Sequence, residues 1–187
     1  MTTDEIFSYI GKRMVEGLMF HSQMEDYYNF LGLWGFAKCH RFHYYHESFN
    51  YKKIGGYYIY HYGKIIKEMP FEDPNSIPVN WFEYNKKDVS ISTKKAAIQS
   101  GIEKWVNWEK ETKRYYENFY IELINLGEVA AAIELEKYIK DVSKELADAE
   151  NKWIKLSSMD YNVNDIILEQ GKLDKKYHKK IKEIELC

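Results

Sequence analysis

Histidine, glutamate and asparagine side chains recur at helical spacing between residues 43 and 50. His43 and Glu47 are four residues apart, as are His46 and Asn50, so each pair shares one face of a helix. Imidazole nitrogens bind iron, copper and zinc, whereas carboxylate and carbonyl oxygens suit manganese and other hard ions. The pattern therefore indicates a transition-metal site. One helix supplies some of its ligands, and other helices supply the rest.

Two glutamates, Glu47 and Glu109, fall in apolar stripes of predicted helices. A carboxylate removed from water is costly unless another group compensates its charge. These two side chains therefore require a metal ion, an arginine or water in the interior. His21 lies on the apolar stripe of the first predicted helix with Glu25 four residues on, and we interpret that pair as a polar contact rather than a ligand set.

Helical spacing on both sides of one proline-rich segment predicts the architecture. All three prolines, Pro70, Pro74 and Pro78, lie in that segment, and proline interrupts helices. We predict five helices with the approximate ranges 4–31, 36–64, 93–126, 128–158 and 165–185. Gly55 and Gly56 predict a kink or break in the second helix, because a helical glycine costs roughly 1 kcal/mol relative to alanine.

Short turns join the first two helices and the next two, so each pair forms an antiparallel hairpin. Helices of about 30 residues are about 45 Å long, and the segment from about 67 to 92 spans that distance easily. One long crossover between two hairpins is the connectivity of ferritin-like bundles. We therefore predict an all-α fold: a single domain, residues 1–187, forming a ferritin-like four-helix bundle with one long crossover loop and an extra C-terminal helix.

Charge and cysteine content limit the partners. The net charge of −2 creates no field that would recruit nucleic acid or an anionic membrane, and no apolar run approaches the roughly 20 residues of a bilayer span. The lysine-rich run 172–182 is interleaved with acidic residues and indicates a solvated helix. We expect neither a nucleic-acid nor a membrane partner. With only Cys39 and Cys187, we expect a cytoplasmic location.

Several segments resemble bacterial non-haem ferritins. Gly32-Leu33-Trp34-Gly35-Phe36-Ala37 is similar to the turn between that family's first two helices, and His46-Glu47-Ser48-Phe49-Asn50 falls on its Glu-x-x-His ligand motif. Trp108-Glu109-Lys110-Glu111 is similar to its third-helix His-Glu-Lys-Lys, and Leu135 to Glu145 resembles the fourth-helix segment that carries a Glu-Gln pair. The resemblance covers about residues 10 to 160. It implies an iron-binding bundle in which Glu47, Glu109 and, on the first helix, Glu16 are ligands.

The ligand pattern departs from that family at two positions. Asn50 stands where the family has its histidine, and Val142 where it has glutamine. Asparagine offers iron only a neutral oxygen, whereas a histidine nitrogen is a better ligand. His43 or His46 would then supply nitrogen to a displaced site, although the spacing equally places His40 and His46 against solvent or a neighbouring subunit. The candidate metal ligands are Glu16, His43, His46, Glu47, Asn50 and Glu109.

Two functional hypotheses follow. The first is a ferritin-like, homo-oligomeric protein that binds iron in the bundle core, as a di-iron or mononuclear site, or manganese, and oxidises Fe(II) or stores iron. The second is a degenerate ferritin-like bundle that acts as a structural or protein-interaction module, with the aromatic loop Pro70 to Tyr84 as its contact region. The two differ in whether Glu47 and Glu109 converge in the core.

Overall fold

The computed structural model describes residues 1–67 and 90–185, which form a purely helical structure. In chain order the helices are α1 (Thr3–Phe30), α2 (Trp34–Tyr62), α3 (Ile91–Asn125), α4 (Val129–Ser158) and α5 (Val163–Glu185). The predicted crossover loop, including its aromatic segment, lies outside the described residues except at its ends. Within the described ranges, no helix combines the length and the apolar character that a bilayer span requires.

Local signals set the first helix and the turn that follows it. The Thr2 side chain accepts a hydrogen bond from the Glu5 backbone N–H, and the Glu5 carboxylate accepts one from the Thr2 N–H at 2.8 Å. This reciprocal capping satisfies N–H groups that the first helical turn leaves free. After α1, Gly32 adopts a left-handed φ of 73°, which glycine reaches without a steric penalty. The chain therefore reverses within a few residues, and α2 packs along α1.

Helix α2 runs without interruption through Gly55 and Gly56 to Tyr62, so the predicted break is wrong. Ile54 and Tyr58, on either side of the glycine pair, are buried. Burying a large apolar side chain contributes about 1.5–3 kcal/mol. Tertiary packing on this face therefore offsets the roughly 1 kcal/mol that each glycine costs.

The apolar interior consists of two clusters, one in each half of the bundle. One cluster contains α1 residues from 20–28 and α3 residues from 97–108, and the other contains α1 residues from 6–14 and α3 residues from 116–123. The first also receives apolar residues of α5. Between the two clusters, α2, α3 and α4 carry buried polar side chains, whereas α1 carries the buried Gly17, with His21 directly after Phe20.

Helix α5 packs against α2, and a close backbone approach fixes it there. A Cβ atom at Gly35, at the start of α2, would lie 2.1 Å from the backbone oxygen of Gln170 on α5. Lys38 also pairs with Asp174 at 2.6 Å. This ion pair adds a polar contact between α2 and α5.

We expect Gly35→Ala to destabilise the protein by about 1–3 kcal/mol, because the new methyl group would collide with the Gln170 carbonyl and force α5 outward. The matched control is Gly55→Ala, at a helical position with nothing within 4 Å of the added Cβ. The control should be neutral or stabilise by up to about 1 kcal/mol. Urea unfolding followed by circular dichroism measures both. Equal stability of the two variants would contradict the packing of α5.

Candidate metal centre

A layer of buried polar side chains crosses the bundle between its two apolar clusters. On α2 the inward positions recur at steps of three or four, which keeps them on one helix face. The layer consists of His21 from α1, His40, His43, Glu47 and Asn50 from α2, Glu109 and Thr112 from α3, and Glu145 from α4. All four bundle helices therefore bring hydrogen-bonding or ionisable groups to one level of the interior.

Three members of this layer, from three helices, form a compact set that we call the donor cluster: His21, Glu109 and Glu145. Each offers a nitrogen or oxygen atom within 4.8 Å of the atoms offered by the other two. His21 Nε2, Glu109 Oε2 and Glu145 Oε2 are buried and have no hydrogen-bond partner among the described residues. Buried polar atoms are nearly always paired in folded proteins. A ligand that engages all three atoms accounts for this arrangement.

The remaining polar atoms of the two cluster carboxylates are held by neighbours. Glu109 Oε1 accepts a hydrogen bond from Trp105 Nε1 at 2.9 Å. Glu145 Oε1 lies 2.8 Å from His46 Nδ1 and 3.3 Å from His43 Nδ1. These contacts orient both carboxylates through Oε1, and the Oε2 atoms are left without a hydrogen-bond partner among the described residues.

Burial and mutual repulsion make it costly for the carboxylates to ionise together. Burial raises the pKa of Glu109 to about 8, and the charge of Glu145 adds to the rise. Burial, with the charges of Glu145 and Glu109, raises the pKa of Glu47 well above its ordinary value. Glu109 therefore holds a proton near neutral pH in the metal-free protein, and ionisation of Glu47 is disfavoured in the same interior.

Glu145 is the ionised member. Burial opposes its charge, but the adjacent His43 and His46 outweigh burial and hold its pKa well below the ordinary value. Burial likewise opposes a charge on His43, whose pKa is nevertheless raised well above its ordinary value by the Glu145 carboxylate. A buried Glu145–His43 ion pair results. Burial and the charge of His43 lower the pKa of His21 to about 3, so this imidazole is neutral.

The donor cluster fits a divalent transition-metal ion. A ligating histidine must be neutral and a ligating carboxylate deprotonated, and His21 is already in the required state. One imidazole nitrogen and two carboxylate oxygens suit iron, manganese or zinc. Each of the three residues has one atom without a hydrogen-bond partner among the described residues, and the three come from different helices.

The ligand predicted on α1, Glu16, is not a member of this cluster. Its side chain pairs with Arg13 at 3.6 Å and is 21% exposed. Gly17 takes the inward position instead, and a Cβ atom there would lie 3.3 Å from the Glu47 carboxylate carbon. Helix α1 thus reaches the donor cluster through His21, about one turn further along.

Of the predicted ligands on α2, His43 and His46 contact Glu145 of the cluster. His43 and Asn50 are buried, and the His46 side chain is 29% exposed. His40, for which a surface position was one interpretation, is fully buried. The interpretation of His21 and Glu25 as a contact pair is wrong, because Glu25 accepts from Arg41 Nε at 2.7 Å.

Sequence reasoning noted His21 and Glu145 but did not select either as a ligand. The available signal was their place in apolar stripes. His21 follows the buried Gly17 by four residues, and Glu145 lies between the buried Val142 and Ala149. A buried titratable residue in each of three helices could have indicated this set.

A pocket of about 340 Å³ lies between α2, α4 and α5. His43, His46 and Glu145 line its inner side, and Lys176 and Lys180 of α5 line another side. Of the three cluster residues, Glu145 lines this pocket, whereas His21 and Glu109 do not.

The raised pKa of Glu109 predicts a pH dependence of stability in the metal-free protein. Between its ordinary pKa and about 8, the folded state holds a proton that the unfolded state has released, so stability falls as pH rises. Glu109→Gln, a neutral isostere, should remove this component. From about pH 5.5 to about pH 7.5, wild type should lose roughly 2 kcal/mol more than the variant.

Urea unfolding at the two pH values measures this difference. Glu117→Gln serves as the control, because Glu117 is exposed on the same helix and pairs only loosely with Lys113, at 3.7 Å. The control should follow wild type. Parallel pH dependences for wild type and Glu109→Gln would contradict the buried, protonated state of Glu109.

No protein-family model and no curated protein sequence matches this chain. Solved structures do match it. An open-pore ferritin from the hyperthermophilic archaeon Archaeoglobus fulgidus has a TM-score of 0.73 at 16% identity, over 90% of this chain and 92% of that chain. An engineered closed form of the Archaeoglobus fulgidus ferritin has a TM-score of 0.74 at 15% identity, over 92% and 96%.

A humanized archaeal ferritin matches equally well, with a TM-score of 0.75 at 15% identity, over 92% of this chain and 95% of that chain. At these identities the likeness shows the fold. The predicted all-α, ferritin-like architecture is confirmed, and the chain is a ferritin-like helical bundle.

Proposed function

We propose that this ferritin-like chain binds a divalent transition-metal ion, iron foremost, in the middle of its bundle through His21, Glu109 and Glu145. One observation carries the proposal. Three buried donor atoms from three helices lie within 4.8 Å of one another, and each cluster residue has a polar atom without a hydrogen-bond partner among the described residues. A cation compensates them jointly, which a single hydrogen-bond donor does not.

Glu47 and His43 extend this site. A bound cation favours the ionised form of nearby carboxylates, so it would reverse the rise in pKa that burial imposes on Glu47 and Glu109. Glu47 would then become available as a further oxygen ligand. His43 would keep its role as counter-ion to Glu145, which it already contacts at 3.3 Å.

The donor chemistry and the fold together support iron as the cargo or substrate, with manganese as the alternative. Anionic oxygen donors are hard ligands, and they stabilise Fe(III) more than Fe(II). A bound Fe(II) ion therefore gives up one electron to dioxygen or peroxide more readily than a hydrated ion does. Oxidation of Fe(II), iron storage and assembly into a cytoplasmic homo-oligomer belong to this proposal.

Removal of both cluster carboxylates should abolish binding. In anaerobic titrations with Fe(II), and with Mn(II) in parallel, wild type should bind at least one ion per chain. Glu109→Gln combined with Glu145→Gln should raise Kd by at least about 100-fold, since the cation loses two anionic ligands. The gain or loss of binding can be followed by calorimetry.

The matched control is Glu117→Gln with Glu150→Gln, which removes one exposed and one partly exposed carboxylate from the same two helices (side chains 48% and 38% exposed). The control should bind like wild type. Equal Fe(II) affinity in the core variant and the control would overturn the proposal. Wild type that binds neither ion would favour the interaction-module hypothesis instead.

Metal binding should release protons and strengthen as pH rises. Glu109, with a pKa of about 8, holds a proton near neutral pH, and burial favours the protonated form of Glu47 by raising its pKa well above the ordinary value. The incoming ion must displace these protons. Affinity should therefore increase between about pH 6 and about pH 8, and calorimetry in buffers of different ionisation enthalpy should show about one proton or more released per ion. Binding without proton release would contradict this electrostatic account.

A further inference from the structure

Two histidines in the polar layer contact one another away from the donor atoms. His21 Nδ1 and His40 Nδ1 lie 3.0 Å apart, and both side chains are fully buried. Two imidazole nitrogens at this separation form a hydrogen bond only when one of them carries a proton and the other presents a lone pair. The pair therefore has two possible arrangements.

The two arrangements differ in what His21 offers the donor cluster. If His40 donates, the proton of neutral His21 sits on Nε2, 3.7 Å from Glu109 Oε1, and no lone pair is left for a cation. If His21 donates through Nδ1, its Nε2 carries a lone pair directed at the cluster. The hydrogen bond on one ring nitrogen thus sets the chemistry of the other.

We propose that His40 is a positioning residue: it accepts the Nδ1–H of His21 and so holds His21 in the tautomer whose Nε2 binds the metal. This inference rests on the proposed metal-binding function and deepens it. Ligating histidines generally donate their other N–H to a carboxylate, a carbonyl or water. In this chain the acceptor is a second imidazole.

Aromatic side chains around His40 hold its ring in the orientation that the hydrogen bond to His21 requires. The Tyr28 ring stacks on it with centroids 5.4 Å apart, and Trp105 and Phe20 meet it edge-on at 5.0 and 6.4 Å. His40 therefore has little freedom to turn away from His21. Trp105 also donates to Glu109, so one aromatic side chain supports both the imidazole pair and a cluster carboxylate.

His40 could affect metal affinity through aromatic packing or through its hydrogen bond to His21. Two substitutions distinguish these roles. His40→Phe keeps a ring but removes the acceptor. His40→Asn removes the ring but keeps an acceptor oxygen near the position of Nδ1. Affinities for Zn(II) and Fe(II) should fall by about 10–100-fold in His40→Phe and stay within about threefold of wild type in His40→Asn, as expected when an acceptor is kept.

The opposite order, with His40→Asn weaker than His40→Phe, or equal affinities in wild type and His40→Phe, would overturn the positioning role. If wild type still bound Zn(II) when either result was obtained, the proposed metal-binding function would remain supported. Failure of wild type to bind any ion would overturn the metal function itself.

A direct measurement on wild type does not depend on how well the variants fold. Nitrogen-15 shifts of the histidines in the Zn(II)-loaded protein should show His21 protonated at Nδ1 and metal-bound at Nε2, with His40 protonated at Nε2. A His21 ring that carries its proton on Nε2, or that binds Zn(II) through Nδ1, would contradict the proposal.

Discussion

The cost of keeping several carboxylates in a dry interior governs the middle of this protein. Taking an ion out of water costs several kcal/mol even after relaxation, and the polar layer holds Glu47, Glu109 and Glu145 together, all buried. The metal-free protein keeps one of them ionised, beside His43, and the raised pKa values of the other two keep those protonated. A bound cation compensates the charge of the carboxylates, so they no longer need to be protonated. The arrangement that is costly without metal is therefore the one that favours metal binding.

Arginine does not provide the compensation. The charge of Arg13 acts on Glu47 and Glu109, but its guanidinium carbon lies 3.6 Å from the Trp108 ring centroid, and its Nε donates to Thr112 at 3.0 Å. It also pairs with Glu16. Its charge lowers the pKa of Glu47 and Glu109 less than burial raises it. Arginine therefore does not compensate the negative charge that these two carboxylates carry when ionised. They belong to the layer in which three helices offer donor atoms.

Much of the fold follows from periodicity and punctuation in the sequence. Helical spacing, the short turn at Gly32 and the prolines grouped between α2 and α3 predicted the helical hairpins of a ferritin-like bundle. The break at Gly55 and Gly56 was wrong, because local propensity is a weak prior that buried contacts from neighbouring helices override. Those contacts cannot be read from one helix.

The site was harder to predict than the fold. Spacing along α2 identified its inward face, and Glu47 and Glu109 do lie buried in one layer. Which residue of α1 reaches that level depends on the axial register between helices, and a shift of one turn separates Glu16 from His21. The sequence also offered no sign that His40 contacts His21, since that contact joins two helices. Periodicity gives the inward face of a helix, whereas the level along the bundle axis is a tertiary property.

The most direct test of the central claim is anomalous diffraction from crystals grown anaerobically with Fe(II), with data collected on both sides of the iron absorption edge. We predict an iron peak inside the bundle, about 2 Å from His21 Nε2 and from carboxylate oxygens of Glu109 and Glu145, at ordinary metal-ligand distances. Iron bound only at the protein surface, with water or a protein hydrogen bond occupying the space between those three side chains, would contradict the account.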